Sequence, residues 1–295
     1  KTLANPLYQR LNPDELLTAD RNFYGFDAWD LAMRSGAALL WRAPTGLGLP
    51  IVTVLPDGTY LSVLIDPKIR SARRRAAILA AARESADPHA ALADEPAHLV
   101  RVVEYDRPDR AGNGTGELIV LLSTILDPVH ARARELAATY HERWEEETGN
   151  DQLKTHLRGP GRVLRSRLPE LVHQEIWAWL LVHHAISALI TRAAQAADID
   201  PDRVSFTGTL RIIRRTVTTG KAAFPPEHWD RGLPRVHAEI THKHNLNPKR
   251  RHRSYPRVVK RARHNSYRVK KPDETGVRHP GPATINIRTA ALRAA

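Results

Sequence analysis

At 295 residues, 42% of them hydrophobic and none of them cysteine, the chain can bury the core of one large domain or two modest ones, while disulfides, zinc ribbons and thiol catalysis are excluded. Lys and Arg total 45 against 32 Asp and Glu, a formal charge of +13, and 12 of those bases fall between Lys243 and Lys271, a window without an acid. Removing the 12 leaves 33 bases against 32 acids, so the excess is one block near the C-terminus.

In chain order, residues 14–20 read as a short buried strand ending in the carboxylate of Asp20. A loop with Gly25 follows, then helical periodicity from Phe26 to Arg34 and a second buried strand from Ala37 to Trp41. Beyond Pro44 the texture is β-rich: runs at Ile51 to Leu55, Tyr60 to Ile65, Leu99 to Tyr105 and Leu118 to Thr124 are separated by turn residues such as 56–58 and 112–114. Ser71 to Glu84, rich in Ala and Arg, reads as a helix between them. After Pro128 one long helical pattern runs from Val129 to Leu157 and stops at Gly159-Pro160-Gly161. A second helix starts at Pro169, a favoured first-turn position, and runs to about Ala197; apolar on most sides, it is expected to be buried. Its most apolar stretch, Ile176 to Ile190, carries His183 and His184 and is too short for a bilayer, and no secretory leader is visible. A soluble cytoplasmic protein with no membrane partner is therefore expected. Ser205 reads as the cap of a basic helix through Arg215, and from Phe224 onward Pro and basic residues predict little regular structure.

The basic block suits a polyanion, because each neutralised phosphate releases condensed counterions. Its candidate phosphate contacts are Lys249, Arg250, Arg251, Arg253, Lys260, Arg261 and Arg263. Tyr255 and Tyr267 are placed to stack on bases, although a solvated tail has the same composition. No Walker-type phosphate loop is present, so no nucleotide cofactor is expected.

At about 100° per residue, Tyr140, Arg143, Glu147 and Lys154 fall on one stripe of the long helix, which Val129, Ala133 and Leu136 begin as an apolar surface. Charges that continue a buried stripe need partners, and a cleft with metal ions and phosphates would supply them. Arg143 and Glu147 are also spaced i,i+4, which a plain salt-bridged helix uses too, and Asp151 projects to the same stripe.

The run Tyr140-x2-Arg143-x3-Glu147-x6-Lys154 resembles the signature of insertion-sequence transposases of the fourth family in the usual numbering. Residues 18–26 resemble the segment around that family's second catalytic aspartate, and residues 253–267 the basic tails of its actinobacterial members. The resemblance implies an α/β, ribonuclease-H-like catalytic fold with a β-rich insertion and a helical, basic C-terminal region. The chain would then divide into a core remnant (1–44), the β-rich insertion (45–127), the helical part of the core (128–220) and an irregular basic tail (221–295).

It further implies a DNA transposase that cuts and pastes an insertion sequence. Asp20 and Glu147 would be catalytic and hold Mg²⁺ or Mn²⁺, while Tyr140, Arg143 and Lys154 hold the DNA backbone. The implied partners are double-stranded DNA, as transposon ends and target, and a second copy of the chain in the DNA complex, within the nucleoid. The family uses three carboxylates, yet only 19 residues precede Asp20. Asp57-Gly58-Thr59 superficially resembles the first-aspartate motif, but it follows Asp20 and reads as a hairpin turn between Val54 and Tyr60. The expectation is a reading frame lacking its N-terminal part. The rival readings are a non-catalytic DNA-binding remnant and a ribonuclease-H-like nuclease unrelated to transposition.

Overall fold

The structure, a computed structural model, describes residues 2–107, 117–159, 164–218, 229–247, 253–254, 277–278 and 285–290. It divides into two compact units, one of residues 1–143, 253–277 and 282–295, the other of residues 144–252 and 278–281.

In the first unit a single turn of helix, α1 (Asn5–Tyr8), precedes β1 (Leu16–Ala19). Helix α2 (Phe26–Met33) then crosses over to β2 (Ala38–Arg42), which pairs parallel with β1 and sets Ala19 opposite Trp41. Parallel pairing requires such a crossover, because a tight turn can only reverse the chain. The β-rich stretch supplies β3 (Thr53–Val54), β4 (Tyr60–Ile65), β5 (Ala97–Arg107) and β6 (Glu117–Ser123). Strand β6 returns to pair antiparallel with β2, so all six share one mixed sheet in the order β1-β2-β6-β5-β4-β3. Of the expected run Ile51 to Leu55, Thr53 and Val54 form β3, and the N–H groups of Val52 and Leu55 also donate across the hairpin, to Leu61 and Thr59. The expected turn at 112–114 lies outside the described residues. Helix α3 (Ala72–Glu84) starts as expected, with Ser71 Oγ accepting from Arg74 N at 3.3 Å, and α4 (Pro88–Ala91) follows under an Asp87 cap.

The core beneath β1 and β2 is aromatic. Trp29 of α2 and Trp41 of β2 are fully buried and meet edge to face at 5.3 Å, with Tyr8 5.6 Å from Trp41. The C-terminal segment belongs here as well. After the two-residue strands β7 (Arg253–Ser254) and β8 (Val277–Arg278), strand β9 (Asn286–Ile287) pairs with Tyr105 and Asp106 of β5, beyond the last residue that β4 covers. That closes an edge which would otherwise expose unpaired backbone.

The single helix expected over 129–157 is broken. Val129 is 86% exposed and outside any helix, because Asp127 accepts from its N–H at 2.8 Å and holds a turn. Helix α5 spans Ala133–Glu142, the chain turns at Arg143, α6 spans Trp144–Asp151, and Gln152–Leu157 is π-helical. The uniform 100° step therefore does not apply across Arg143 or past Asp151.

In the second unit α7 (Pro169–Ala196) has the expected bounds but not the expected burial. Ile186, Ile190, Ala193 and Ala194 are buried, whereas Trp177 and Leu181 are 70% and 68% exposed. By length and composition alone α7 is long and apolar enough to cross a bilayer, a property that core helices share. Its C-terminal half forms a core with α8 (Phe206–Thr218) and α9 (Trp229–Ile240). Ser205 caps α8 as expected, its Oγ accepting from Gly208 N at 3.1 Å. Helix α9 lies where Pro predicted irregular chain, and Pro234 sits inside it. Val236 and Ile240, spaced i,i+4, pack into the same core, and that burial outweighs the missing hydrogen bond.

Candidate functional site

Strand β1 ends at Ala19, so Asp20 is the first residue past the carboxyl end of a strand. Its Oδ1 accepts from Arg21 N at 2.7 Å and its carbonyl from Phe23 N at 2.9 Å, which fixes the half-buried side chain on a tight turn. Because Ala19 is in register with Trp41, Arg42 at the end of β2 stands level with Asp20 on the neighbouring parallel strand. The carboxyl ends of parallel strands are where open α/β sheets form ligand crevices.

Helix α5 brings the third and fourth groups. Leu136, Ala137 and Tyr140 pack with Leu40 of β2 and Val103, Tyr105 and Leu121 of the sheet, and the Tyr140 hydroxyl feels the charges of both Asp20 and Arg42. Tyr140 is 4% exposed. Arg143 at the helix C-cap lays its guanidinium 5.7 Å from the centre of the Tyr140 ring, where the helix dipole also favours a cation. Burial pushes the Tyr140 phenol up; among its charged neighbours Arg143 and Arg42 lower it and Asp20 raises it. The net shift is upward, so the phenol stays a neutral hydrogen-bond donor at ordinary pH. One carboxylate, one phenol and two guanidiniums therefore share one corner of the first unit. Arginine supplies a planar fork matched to phosphate oxygens, and a phenol adds a donor.

Of the expected site residues, Asp20, Tyr140 and Arg143 are thus gathered in one unit, while Glu147 and Lys154 belong to the other. Both are exposed, Glu147 in the first turn of α6 beside Glu145 and Glu146, and Lys154 in the π-helical stretch. Acids at a helix N-terminus also suit its dipole. Asp151 is engaged locally, accepting from Thr155 at 2.7 Å with His156 at 3.3 Å. Lys249, Arg250, Arg251, Lys260, Arg261 and Arg263, with Tyr255 and Tyr267, lie outside the described residues, and Arg253 begins β7. Among the described residues no three His, Asp or Glu side chains gather into a metal-binding group.

Sequence reasoning missed Arg42. Its only signal is position, as the last residue of the strand after the one ending at Asp20, and that signal needs the β1–β2 pairing to be known. Asp57 occupies the β3–β4 turn as expected, its Oδ1 accepting from Thr59 Oγ1 at 2.6 Å. Gly58 has φ +83°, and a Cβ there would stand 2.7 Å from Thr289 Cγ2.

No protein-family model matches the chain. It is 30% identical over 148 residues to the transposase InsG for insertion sequence element IS4 of Escherichia coli strain K12, a match covering 49% of this chain and 32% of the relative. The chain thus spans about a third of that relative's length.

Proposed function

We propose that this chain is part of an insertion-sequence transposase with a ribonuclease-H-like catalytic fold, which cleaves DNA phosphodiesters at transposon ends and joins them to a target. The observation that carries the reading is the convergence of Asp20, Arg42, Tyr140 and Arg143 at the carboxyl ends of two parallel strands. The likeness to an insertion-sequence transposase supports it.

In this reading Arg143 and Arg42 hold nonbridging phosphate oxygens, Arg143 with its fork pre-oriented by the Tyr140 ring. Tyr140, assigned to the same site, is buried in the core and so fixes the last turn of α5 and the place from which Arg143 meets the backbone. Lys154 adds a point charge, and the basic residues between Lys243 and Lys271 grip the duplex further away. Asp20 is the carboxylate of this corner that we assign to a divalent cation, Mg²⁺ or Mn²⁺, and Glu147 is assigned the same role from its place in the Tyr140-x2-Arg143-x3-Glu147-x6-Lys154 run alone. Their donor chemistry fits, because Mg²⁺ takes hard oxygens from one or two carboxylates and completes its shell with water and substrate phosphate. When bound, such a cation neutralises charge developing on the attacking and leaving oxygens. The protein would act as a homodimer on paired ends.

The test uses a supercoiled plasmid carrying the terminal inverted repeats that border the gene. Cation-dependent nicking at the repeats is expected, falling at least 100-fold in Asp20→Asn and Glu147→Gln, while duplex binding on a filter stays at the parent level. Nicking by Asp20→Asn at the parent rate would sink the assignment. Duplex binding without cation-dependent nicking by the parent chain would leave a DNA-binding protein only.

A further inference from the structure

We propose that Asp57 and Arg101 are positioning residues, which fix the first turn of α5 and thereby set where Tyr140 and Arg143 stand beside Asp20 and Arg42. The inference rests on the reading of that corner as a DNA-phosphate site and adds the device that holds it in place.

The need arises in the sequence of α5. Helix N-termini leave backbone N–H groups unsatisfied, and the cap position usually supplies a short side-chain acceptor. Here the cap is Arg132, which has no acceptor to offer. Glu135 reaches back to Arg132 N at 2.9 Å. Ala133 N is satisfied from elsewhere, by Asp57 Oδ2 at 3.2 Å, a residue 76 positions earlier in the β3–β4 turn. A carboxylate at this end of the helix also complements its dipole.

Arg101 makes that cap rigid. It stands in the middle of β5 with no exposed surface. Its guanidinium donates to Asp57 Oδ2 at 2.5 Å, to Thr59 Oγ1 at 3.0 Å and to the carbonyl of Ala131 at 2.6 Å. One side chain therefore grips both the hairpin turn that supplies the cap and the segment that leads into the helix. Burial works to raise the Asp57 carboxyl, but Thr59, Arg101 and the Ala133 N–H together hold it below the usual carboxylate range, so it stays charged. An ion pair such as this one, with Arg101 buried and Asp57 partly so, adds little stability over well-packed apolar side chains of the same volume. What it adds is a single geometry. At ten residues α5 is about 15 Å long, and it packs along its length through Ala133, Leu136, Ala137 and Tyr140. A shift of its first turn is therefore carried to Tyr140 and Arg143 at the other end.

The test combines two measurements on the whole chain. Hydrogen–deuterium exchange is followed in parent, Asp57→Ala, Arg101→Met and Asp57→Asn. Salt-dependent binding to a random-sequence duplex is measured with and without Arg143→Ala in the parent and Asp57→Ala backgrounds. Positioning predicts that Asp57→Ala and Arg101→Met speed exchange of the amides of residues 136–142 about tenfold while those of 78–84 in α3 keep their rates, and that Asp57→Asn, which retains an acceptor, restores protection. A purely structural role would speed both segments together and would overturn the proposal. In the binding arm Arg143→Ala lowers the slope of log affinity against log salt by about one in the parent and leaves it unchanged in Asp57→Ala. An equal drop in both backgrounds also overturns the proposal. No drop even in the parent overturns instead the assignment of Arg143 to DNA, and exchange alone then decides the positioning role. Should Arg101→Met not fold, Asp57→Ala and Asp57→Asn carry both arms.

Discussion

The guanidinium of Arg143 lies 5.7 Å from the ring centre of Tyr140, so the cation ending α5 rests on the aromatic side chain that anchors the same turn in the core. The pair separates two contributions that mutation can distinguish. Tyr140→Phe keeps the buried ring and is expected to change stability by less than about 1.5 kcal/mol in urea unfolding, whereas Tyr140→Ala costs about 3–5 kcal/mol. If the hydroxyl holds DNA, Tyr140→Phe reduces plasmid nicking while leaving the unfolding midpoint nearly in place. Equal loss of both would mean that the hydroxyl only supports the fold.

Arg42 offers a sharper contrast. Arg42→Ala is expected to weaken duplex binding uniformly across DNA sequences and to reduce the salt slope by about one. Arg42→Lys should keep the slope, because the charge remains, yet lose cleavage, because the planar fork is gone. Filter binding at several salt concentrations together with nicking of the same plasmid checks both. An unchanged slope in Arg42→Ala would remove this residue from the site.

A pH dependence follows from His98, which stacks on Phe26 at 5.1 Å between α2 and β5. Burial depresses its imidazolium and Arg34 adds to the effect; Asp30, 3.3 Å away, only partly offsets them. The folded chain therefore takes up this proton at lower pH than the unfolded chain, whose value is ordinary, about 6.5. Stability from this group is intact above pH of about 6.5 and falls as pH drops through the lowered folded value. His183 of α7 is shifted the same way, by burial and then by His184, so His98→Gln is compared with the parent in a His183→Gln background. Thermal unfolding at pH 7.5 and 5.5 should show a smaller difference without His98. An identical difference would refute the prediction.

The second unit is closed by a contact between α8 and the turn after α9. A Cβ on Gly208 would stand 1.7 Å from Asn245 Oδ1, while Asn245 Nδ2 donates to the carbonyl of Ile240 at 2.7 Å and Asn245 O accepts from Ser205 N at 2.9 Å. Gly208→Ala must swing the Asn245 side chain away and is expected to cost about 1–3 kcal/mol in urea unfolding. In an Asn245→Ala background the same substitution should cost little, since the group it displaces is gone. Additive costs would show that the methyl is accommodated elsewhere.

The element types were readable from the chain because they depend on local chemistry. The β-rich run from Tyr60 to Ile65 after a turn at 56–58, Ser71 at a helix start and Pro169 in a first turn each produced the expected element at the expected place. The spacing of Tyr140, Arg143, Glu147 and Lys154 pointed to phosphate chemistry, but it assumed one regular helix. The turn at Asp127, the break at Arg143 and the π-helical stretch depend on hydrogen bonds that periodicity does not encode. The sequence alone therefore determined which residues carry charge and where those strands and helices with a local start signal begin. Tertiary structure decided which of those residues meet. It set Arg42 beside Asp20 through strand register and capped α5 with a carboxylate from 76 residues away. It also kept Pro234 in a helix and left the first half of α7 exposed. Each of these results depends on pairing and burial between segments far apart in the chain, which no local pattern of residues specifies.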